Sequence, residues 1–486
     1  MKEFIKKRIF GIIVAAIPAI FGIVCICITA KTALISLKYI IIAAVLIAVA
    51  VAGIYLLSRD FKKRVMSILG IILAVITVCV PAVSVYYINH GANALGSITT
   101  PSQEYAEIGV YVAADDAAQT LSDIKDYTVG ILEVQDRANT DAALLQIEQE
   151  LSNTPKATAY VGIGELLDGL LSEKEVKAIL LNDGFVEMLD EIDGHEEDAA
   201  RIRKVHTLKV ENIKTDDATI KNDDSDAVKT SFTLYITGID CTGSISRKSR
   251  SDVNILATVN TETGQILLVS TPRDYYVPLS ISEGVPDKLT HAGIYGTSVS
   301  KDTIAMLYDL DIDYYFKVNF DGFREIIDAL GGITVNSEYK FTTGDYSFVK
   351  GENTLDGEAA LAFARCRKTV PGGDRQRGRH QMEVIRAVIN KAVSPALLKN
   401  YTTILDGVKN SFETEMPYEE IAELVRMQLD TGKKWNITTY SVDGRGASRK
   451  PWSLSLKAYV MIPDETTVEH AKELIKQVID GDVPEV

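Results

Sequence analysis

Arg365, Arg367, Lys368, Arg375, Arg377, Arg379 and Arg386 crowd into one short stretch, opposed there only by Asp374 and Glu383. The segment reads Ala-Leu-Ala-Phe-Ala-Arg-Cys-Arg-Lys, then a Pro-Gly-Gly-Asp turn, then Arg-Gln-Arg-Gly-Arg-His-Gln-Met. The whole chain carries a formal charge of −15, so this local positive well points to a dense anion rather than to solubility. Guanidinium forks match phosphate oxygens bidentately, which makes phosphate or pyrophosphate the implied ligand. For any single arginine, pairing with a surface acid is an equally good account. For the set, an anion cradle is the better one.

Three acids stand at strand ends or turns. Asp240 ends Tyr-Ile-Thr-Gly-Ile-Asp, Asp252 follows Ser-Arg-Ser, and Asp274 follows Thr-Pro-Arg. A lone Asp in such a place is usually a turn-former. Asp240 and Asp252 flanked by Arg250 and Arg273 change that balance, because two carboxylates with phosphate oxygens give the octahedral oxygen site that Mg²⁺ prefers. Arg365 and Arg367 are two apart. If their segment is extended, both point to one face and Cys366 points away.

These residues need elements to hold them. Ser231–Gly238, Val253–Val259 and Ile266–Ser270 read as strands. Asp302–Asp309, Phe320–Leu330 and Asp374–Lys391 read as helices, the second stopped by Gly331-Gly332. Leu355-Asp-Gly-Glu starts the helix that feeds the basic segment, and Thr466-Thr-Val-Glu is a capping box opening a last amphipathic helix. The expected fold is α/β, a mixed sheet with helices on both faces, over residues 228–486. Before it, residues 105–213 alternate strands (Ile108–Ala113, Tyr127–Val134, Ala157–Gly162) with helices (Asp141–Leu151, Ser172–Leu181), a small α/β accessory domain. That domain shows no metal spacing, phosphate loop or nucleophile motif and reads as a positioning or interaction module. The polar run Lys214–Asp226 marks the boundary between the two.

Residues 1–90 hold three uncharged apolar runs, Ile9–Ala30, Tyr39–Leu57 and Val65–Ile88, each long enough to cross a bilayer. Residues 91–104 read as a tether. Lys2, Lys6, Lys7 and Arg8 precede the first run, and Arg59, Lys62, Lys63 and Arg64 separate the second from the third. The positive-inside rule puts the N-terminus in the cytoplasm and the catalytic part outside the cell membrane. Residues 1–64 balance to +8, leaving −23 for the rest. So acidic an outer part is poorly suited to nucleic acid.

Ile-Thr-Gly-Ile-Asp, Arg-Ser-Asp-Val-Asn, Ser-Thr-Pro-Arg-Asp-Tyr-Tyr-Val, Lys-Leu-Thr-His-Ala-Gly-Ile-Tyr-Gly, Val-Asn-Phe-Asp-Gly-Phe and Ala-Arg-x-Arg…Gly-Asp-Arg-x-Arg occur in that order. Together they resemble the LytR–CpsA–Psr family. The three-span start and extra domain are similar to its streptococcal capsule CpsA branch. The resemblance implies a Mg²⁺-assisted (or Mn²⁺-assisted) phosphotransferase. It would move an undecaprenyl-pyrophosphate-linked glycopolymer, such as capsule or teichoic acid, to a peptidoglycan hydroxyl.

By motif position Asp240 and Asp252 resemble the metal-binding acids. Arg250, Arg273, Arg365, Arg367 and Gln381 resemble the pyrophosphate ligands, Asp374 the brace of Arg273, and Arg377 a further phosphate contact. The family's apolar tail groove would be lined here by Val318, Phe320, Phe323, Ile326 and Ile327, residues that core packing explains equally well. Asp240 is the expected base, with His380 and His291 as alternatives. Cys241 and Cys366, each beside a site residue, are expected either to form a disulfide or to remain two buried thiols. Two other functional readings use the same residues. A transcriptional attenuator would keep its basic patch in the cytoplasm, and a non-enzymatic polyprenyl-phosphate or polysaccharide scaffold would not need both Asp240 and Asp252.

Overall fold

The computed structural model describes residues 2–59, 63–99, 103–192, 194–211, 229–394, 411–454 and 456–486. The boundary expected at Lys214–Asp226 lies outside the described residues. The chain forms two compact units.

One unit holds the apolar helices Lys2–Lys31, Leu37–Ser58 and Arg64–Ile98. Spans of 23, 22 and 30 residues within them, at mean hydropathy 2.8, 3.0 and 2.7, are long and apolar enough to cross a membrane. The third helix runs on to Ile98, through residues expected to form a tether. Extending a helix that is already nucleated costs little even across Gly91 and Asn93. The helix Tyr418–Thr431 belongs to this unit rather than to the catalytic sheet. There Tyr418 Oη donates to the Thr32 carbonyl at 2.6 Å and Lys38 pairs with Asp430 at 2.9 Å.

The other unit contains two sheets. The accessory sheet has five strands in the order Lys156–Tyr160, Thr128–Leu132, Ala178–Asn182, Tyr105–Ala113, Ile202–Glu211. The helix expected over Ser172–Leu181 is not formed. The helix lies earlier, at Ile163–Leu171, and Ala178–Asn182 is a central, fully buried strand. A buried strand is a continuous apolar run without alternation, which periodicity alone does not distinguish from helix.

The catalytic sheet has six strands in the order Phe412–Thr414, Tyr314–Val318, Ser231–Ile239, Ser251–Asn260, Gln265–Ser270, Asn436–Ser441. Pairing is parallel at Tyr314–Val318 with Ser231–Ile239 and at Asn436–Ser441 with Gln265–Ser270, and antiparallel elsewhere. One face buries Tyr235, Leu256, Leu267 and Val269 against Ile304 and Tyr308 of helix Thr297–Tyr308 and Val468, Ala471 and Leu474 of helix Glu465–Asp480. The last helix starts two residues before the expected box: Asp464 is its cap and accepts from the Thr466 amide at 3.0 Å. Helix Asp374–Ala392 lies over the opposite face, on strands Gln265–Ser270 and Asn436–Ser441. A Cβ on Gly378 would come within 2.7 Å of Ser270 Oγ, so glycine is what allows this approach.

The two sheets are not separate bodies. Ile163, Leu166, Phe185 and Ile192 of the accessory domain share one apolar core with Ile294, Leu454 and Ala458 of the catalytic domain. Tyr105 exchanges backbone hydrogen bonds with Ser246 and Lys248 at 3.0 and 2.9 Å.

Gly293 packs directly on the strand that carries Asp252, where a Cβ would meet the Ser249 carbonyl at 2.4 Å and the Ser251 amide at 2.7 Å. Gly293→Ala is expected to cost about 1–3 kcal/mol, as overpacking against immovable backbone does. A thermal melt that matches wild type would show that the strand start yields freely.

Candidate active site

The carboxyl ends of four strands, Ser231–Ile239, Gln265–Ser270, Tyr314–Val318 and Asn436–Ser441, meet at one edge of the catalytic sheet, where open α/β sheets bind ligands. The antiparallel strand Ser251–Asn260 begins at that edge and brings Asp252 to it. Its start is fixed by a buried hydroxyl cluster: Tyr235 Oη lies 2.9 Å from Ser251 Oγ and donates to Asn254 Oδ1 at 2.5 Å, and Thr237 Oγ1 sits 2.7 Å from Ser251 Oγ.

Asp240 leaves the end of its strand with its amide on the Arg250 carbonyl at 3.0 Å. Its Oδ2 accepts from Arg250 Nη2 at 2.5 Å. Arg273 sits in the turn after Gln265–Ser270, and its Nη1 donates to Asp252 Oδ1 at 2.9 Å, which Thr290 Oγ1 also reaches at 3.1 Å. Helix Asp374–Ala392 presents Asp374, Arg377 and Gln381 along one face, the i, i+3, i+7 positions. These three line a small cleft of about 70 Å³ with Asp252, Arg273 and Ser270.

Asp374 pairs with Arg377 Nη2 at 2.8 Å. The first turn of the helix directs Asp374, the expected brace of Arg273, at its own i+3 neighbour, and the hydrogen bond to Arg273 Nη1 goes to Asp252. Arg375 is half exposed and pairs with Asp443 at 2.6 Å.

Arg365 and Arg367 are placed differently. Helix Gly357–Arg365 ends at Arg365, and Cys366 is its extended C-cap. The segment is therefore not the extended one on which a shared face for the two arginines depends; Arg365 and Arg367 are exposed and Cys366 is buried. Arg365 lies over the Phe320 ring at 4.2 Å, and the Phe320 amide donates to the Cys241 carbonyl, next to Asp240. Such a cation–π contact holds a guanidinium without using its N–H donors.

Cys241 and Cys366 are both free thiols. No bridge ties them: Cys366 Sγ is instead 3.2 Å from Thr369 Oγ1 in its own turn. Burial pushes the Cys241 thiol up to about 11, so it stays protonated and unreactive. The histidines are structural too. His291 is fully buried, with Nδ1 2.7 Å from Asp287 Oδ1 and 2.9 Å from Ser453 Oγ. His380 stacks between Phe363 and Phe341 at 4.2 and 5.0 Å, and its Nδ1 lies 3.1 Å from the Phe363 carbonyl.

Sequence reasoning missed the residues that complete the charge cluster. Lys288 is buried and bonds both Asp274, at 3.0 Å, and Glu191. Glu191 comes from the accessory domain and also faces Arg250 at 3.2 Å and Arg273 at 3.5 Å. Lys288 and Thr290 were in view within Lys-Leu-Thr-His, but nothing around Met188-Leu-Asp-Glu-Ile sets Glu191 apart locally.

Burial opposes the charge on Asp252, but Arg273, Arg377 and Arg250 outweigh it and hold the carboxyl below its usual range. Glu191, also desolvated, is held at about 2 by Lys288 and Arg273. Asp374 goes the other way, since its burial exceeds the help from Arg377 and raises it. The cluster leaves donors over: Nε of Arg250, Arg273 and Arg377 is buried without a hydrogen bond among the described residues. Arg273 and Arg377 line the cleft with Gln381, a donor set that fits an anion with several acceptor oxygens.

On the sheet face away from the main core, Leu234, Ile236, Val253, Phe316, Val318 and Phe412 are only half-buried. Phe320, Phe323 and Ile326 continue this half-buried apolar surface, while Ile327 is buried in the core at 1 % exposure.

Fold and site define a protein with membrane-spanning helices and a guanidinium-lined anion site at the strand ends of an α/β sheet. The family model LytR_cpsA_psr matches residues 184–477. The chain belongs to the LytR–CpsA–Psr family. It is 36% identical over 220 residues to a Bacillus subtilis protein named polyisoprenyl-teichoic acid–peptidoglycan teichoic acid transferase TagU, covering 45% of this chain and 70% of that one. It is also 36% identical over 199 residues to the Enterococcus faecalis protein of the same name, covering 40% of this chain and 65% of that one. Among solved structures, Bacillus subtilis TagV superposes with a TM-score of 0.44 at 29% identity, over 52% of this chain and 98% of that one.

His380 gives the site region a measurable pH dependence. Burial lowers its pKa to about 4 from an unfolded value of about 6.5. The unfolded chain therefore binds the proton first, and the stability His380 contributes is full above about pH 6.5 and lost as pH falls toward 4. Replacing it by Phe should flatten that part of the curve of melting temperature against pH. Parallel curves for the two proteins would reject the assignment.

Proposed function

We propose that the protein transfers a polyprenyl-pyrophosphate-linked glycopolymer to peptidoglycan at the outer face of the membrane, a phosphotransfer that joins the sugar phosphate to an acceptor hydroxyl and releases the lipid phosphate. The observation that carries this reading is the cleft at the strand ends where Arg273, Arg377 and Gln381 meet, with Arg250 beside it, each arginine aimed by its own carboxylate. The names of the Bacillus and Enterococcus relatives supply the substrate class. The half-exposed apolar face formed by Phe316, Val318 and Phe320 suits a polyprenyl chain running away from the charged head. An N-terminus in the cytoplasm, with the site outside, is supported by the basic residues flanking the first two spans.

A divalent ion fits the donors present. Asp240 Oδ1 and Asp252 Oδ2 carry no hydrogen bond from the described residues, while the other oxygen of each is fixed by an arginine. Two oriented carboxylate oxygens plus substrate phosphate oxygens are a usual set for Mg²⁺ or Mn²⁺. A bound ion would supply Lewis-acid stabilisation of charge on the phosphoryl oxygens.

The chain's own residues do the remaining work. Arg250, Arg273 and Arg377 hold the pyrophosphate and stabilise the charge that grows on the leaving lipid phosphate, already aimed before the bond breaks. Gln381 orients the same group from the cleft wall. Arg365 and Arg367, exposed at the helix end, bind its outer oxygens. Asp240 would align or deprotonate the acceptor hydroxyl; its contact with Arg250, and the packing that locks His291 and His380, support this.

The test is transfer by the full-length chain from a polyprenyl-pyrophosphate oligosaccharide to peptidoglycan fragments. Arg273→Ala should lose about ten- to a hundred-fold in kcat/KM, since a charge-assisted contact is worth about 1.5–3 kcal/mol. Arg365→Ala and Arg367→Ala should also fall, with Lys recovering only part because a point charge lacks the fork. Chelation should abolish turnover and Mg²⁺ or Mn²⁺ restore it. Wild-type rates in Arg273→Ala would sink the site, and undiminished activity in chelator would sink the metal.

A further inference from the structure

Glu191 reaches the site from outside the catalytic sheet. It closes the short turn Leu189–Glu191 of the accessory domain. Its Oε1 lies 3.2 Å from Arg250 Nη1 and 3.5 Å from Arg273 Nη2, and its Oε2 bonds Lys288 Nζ. We propose that Glu191 is a positioning residue that fixes the aim of Arg250 and Arg273, which makes the accessory domain an integral part of the transfer site. This rests on the transfer reading given above.

A carboxylate among phosphate-binding arginines can have one of two roles. It can stand where a phosphate oxygen will later sit, and be pushed aside, or it can hold the forks from behind. Three observations favour holding. Leu189 and Ile192, on either side, are both 0% exposed, and Ile192 bridges to Ala458 of the catalytic domain, so the turn is anchored. Lys288 is 2% exposed and is held between Glu191 and Asp274, so moving Glu191 away would leave a buried ammonium with one partner. The cleft lined by Arg273, Arg377 and Gln381 is not lined by Glu191.

The forks show what Glu191 controls. Arg250 gives one terminal nitrogen to Asp240 and the other to Glu191. Arg273 gives one to Asp252 and the other to Glu191. Each planar group is thus fixed at two points by two carboxylates on different elements. Removing Glu191 leaves each fork held at one point and free to pivot about it. The contact matters most as charge builds on the leaving phosphate, so the loss belongs in kcat rather than KM.

A second acidic contact between the same domains serves as a control. Arg247 pairs with Glu107 at 3.1 Å and with Glu187 at 3.0 Å, whereas the acids paired with Arg250 and Arg273 among the described residues are Asp240, Glu191, Asp252 and Asp274.

The experiment measures transfer by the full-length chain in detergent or nanodiscs with Mg²⁺, using a polyprenyl-pyrophosphate oligosaccharide donor. Glu191→Gln is expected to lower kcat about 10- to 100-fold, the usual effect of removing a partner that orients a site residue, with the donor KM little changed. Glu191→Asp keeps the charge with a shorter reach and should recover part of the loss. Glu107→Gln should turn over like wild type. A wild-type or raised kcat in Glu191→Gln overturns the proposal, a raised one marking a displaceable anion. An equal loss in Glu107→Gln also overturns it, because the effect would then be domain docking. Should Glu191→Gln fail to fold, Glu191→Asp decides: kcat below wild type supports the proposal and wild-type kcat rejects it. Arg273→Ala separates the two levels. If it transfers normally the transfer site itself is wrong, whereas an inactive Arg273→Ala beside a normal Glu191→Gln removes only the role of Glu191.

Discussion

Arg250, Arg273, Lys288 and Arg377 are four cations brought together with little access to water, and the arrangement of everything near them answers that constraint. Taking one such ion out of water costs several kcal/mol, and like charges at close range add to it. The chain meets this with a carboxylate for each: Asp240 on Arg250, Asp252 on Arg273, Asp374 on Arg377, Asp274 and Glu191 on Lys288. These acids come from strand ends, a helix start and a separate domain. The cluster can form only when all of those elements are in register.

That dependence explains why the strand starting at Ser251 is so firmly held. Asp252 is the second residue of the strand, and a slip of one position would turn it to the other face. The Tyr235–Ser251–Thr237–Asn254 hydroxyl cluster and the close approach of Gly293 both act on this strand start. The accessory domain adds a second constraint. Its apolar core continues through Ile294, Leu454 and Ala458, so its acids meet Arg250 and Arg273 beside a packed apolar interface.

Legibility in the sequence followed the range of the interactions. Asp240 and Arg273 stand just past apolar runs, Asp252 just before one, and the arginine pattern Asp-Arg-Gln-Arg-Gly-Arg opens a helix with a strong periodic face. Local spacing was enough for these. The Ser172–Leu181 region was misread because Ala178–Asn182 is buried on all sides and its apolar run carries no period. Cys241 and Cys366 were drawn together by their neighbours in sequence, but Cys366 turns toward Thr369 at a helix end. His380 gave a chemical signal from its neighbouring arginines, and its burial between Phe341 and Phe363 depends on chain segments far away. Glu191 left no local trace at all, because its significance lies wholly in three cations from the other domain.

The two classes of arginine divide the task in a way that matches an amphiphilic ligand. Arg250, Arg273 and Arg377 are buried and already paired, so they are slow to meet a ligand but hold it in one orientation once it arrives. Arg365 and Arg367 are exposed and can attract charge from a distance. Arg365 also rests on Phe320, and Phe320 borders the half-exposed apolar face that Val318 and Phe316 extend across the sheet. A guanidinium whose flat face lies on an aromatic ring keeps all of its N–H groups at its edge, directed outward. On the transfer reading this is the junction between lipid tail and pyrophosphate head. An apolar surface continuing from an arginine selects a phosphate attached to hydrocarbon over the free ion, which would gain the charge contacts and none of the burial. On that reading the same residue would serve both binding and discrimination, from its place where the helix Gly357–Arg365 ends beside the helix that Phe320 begins.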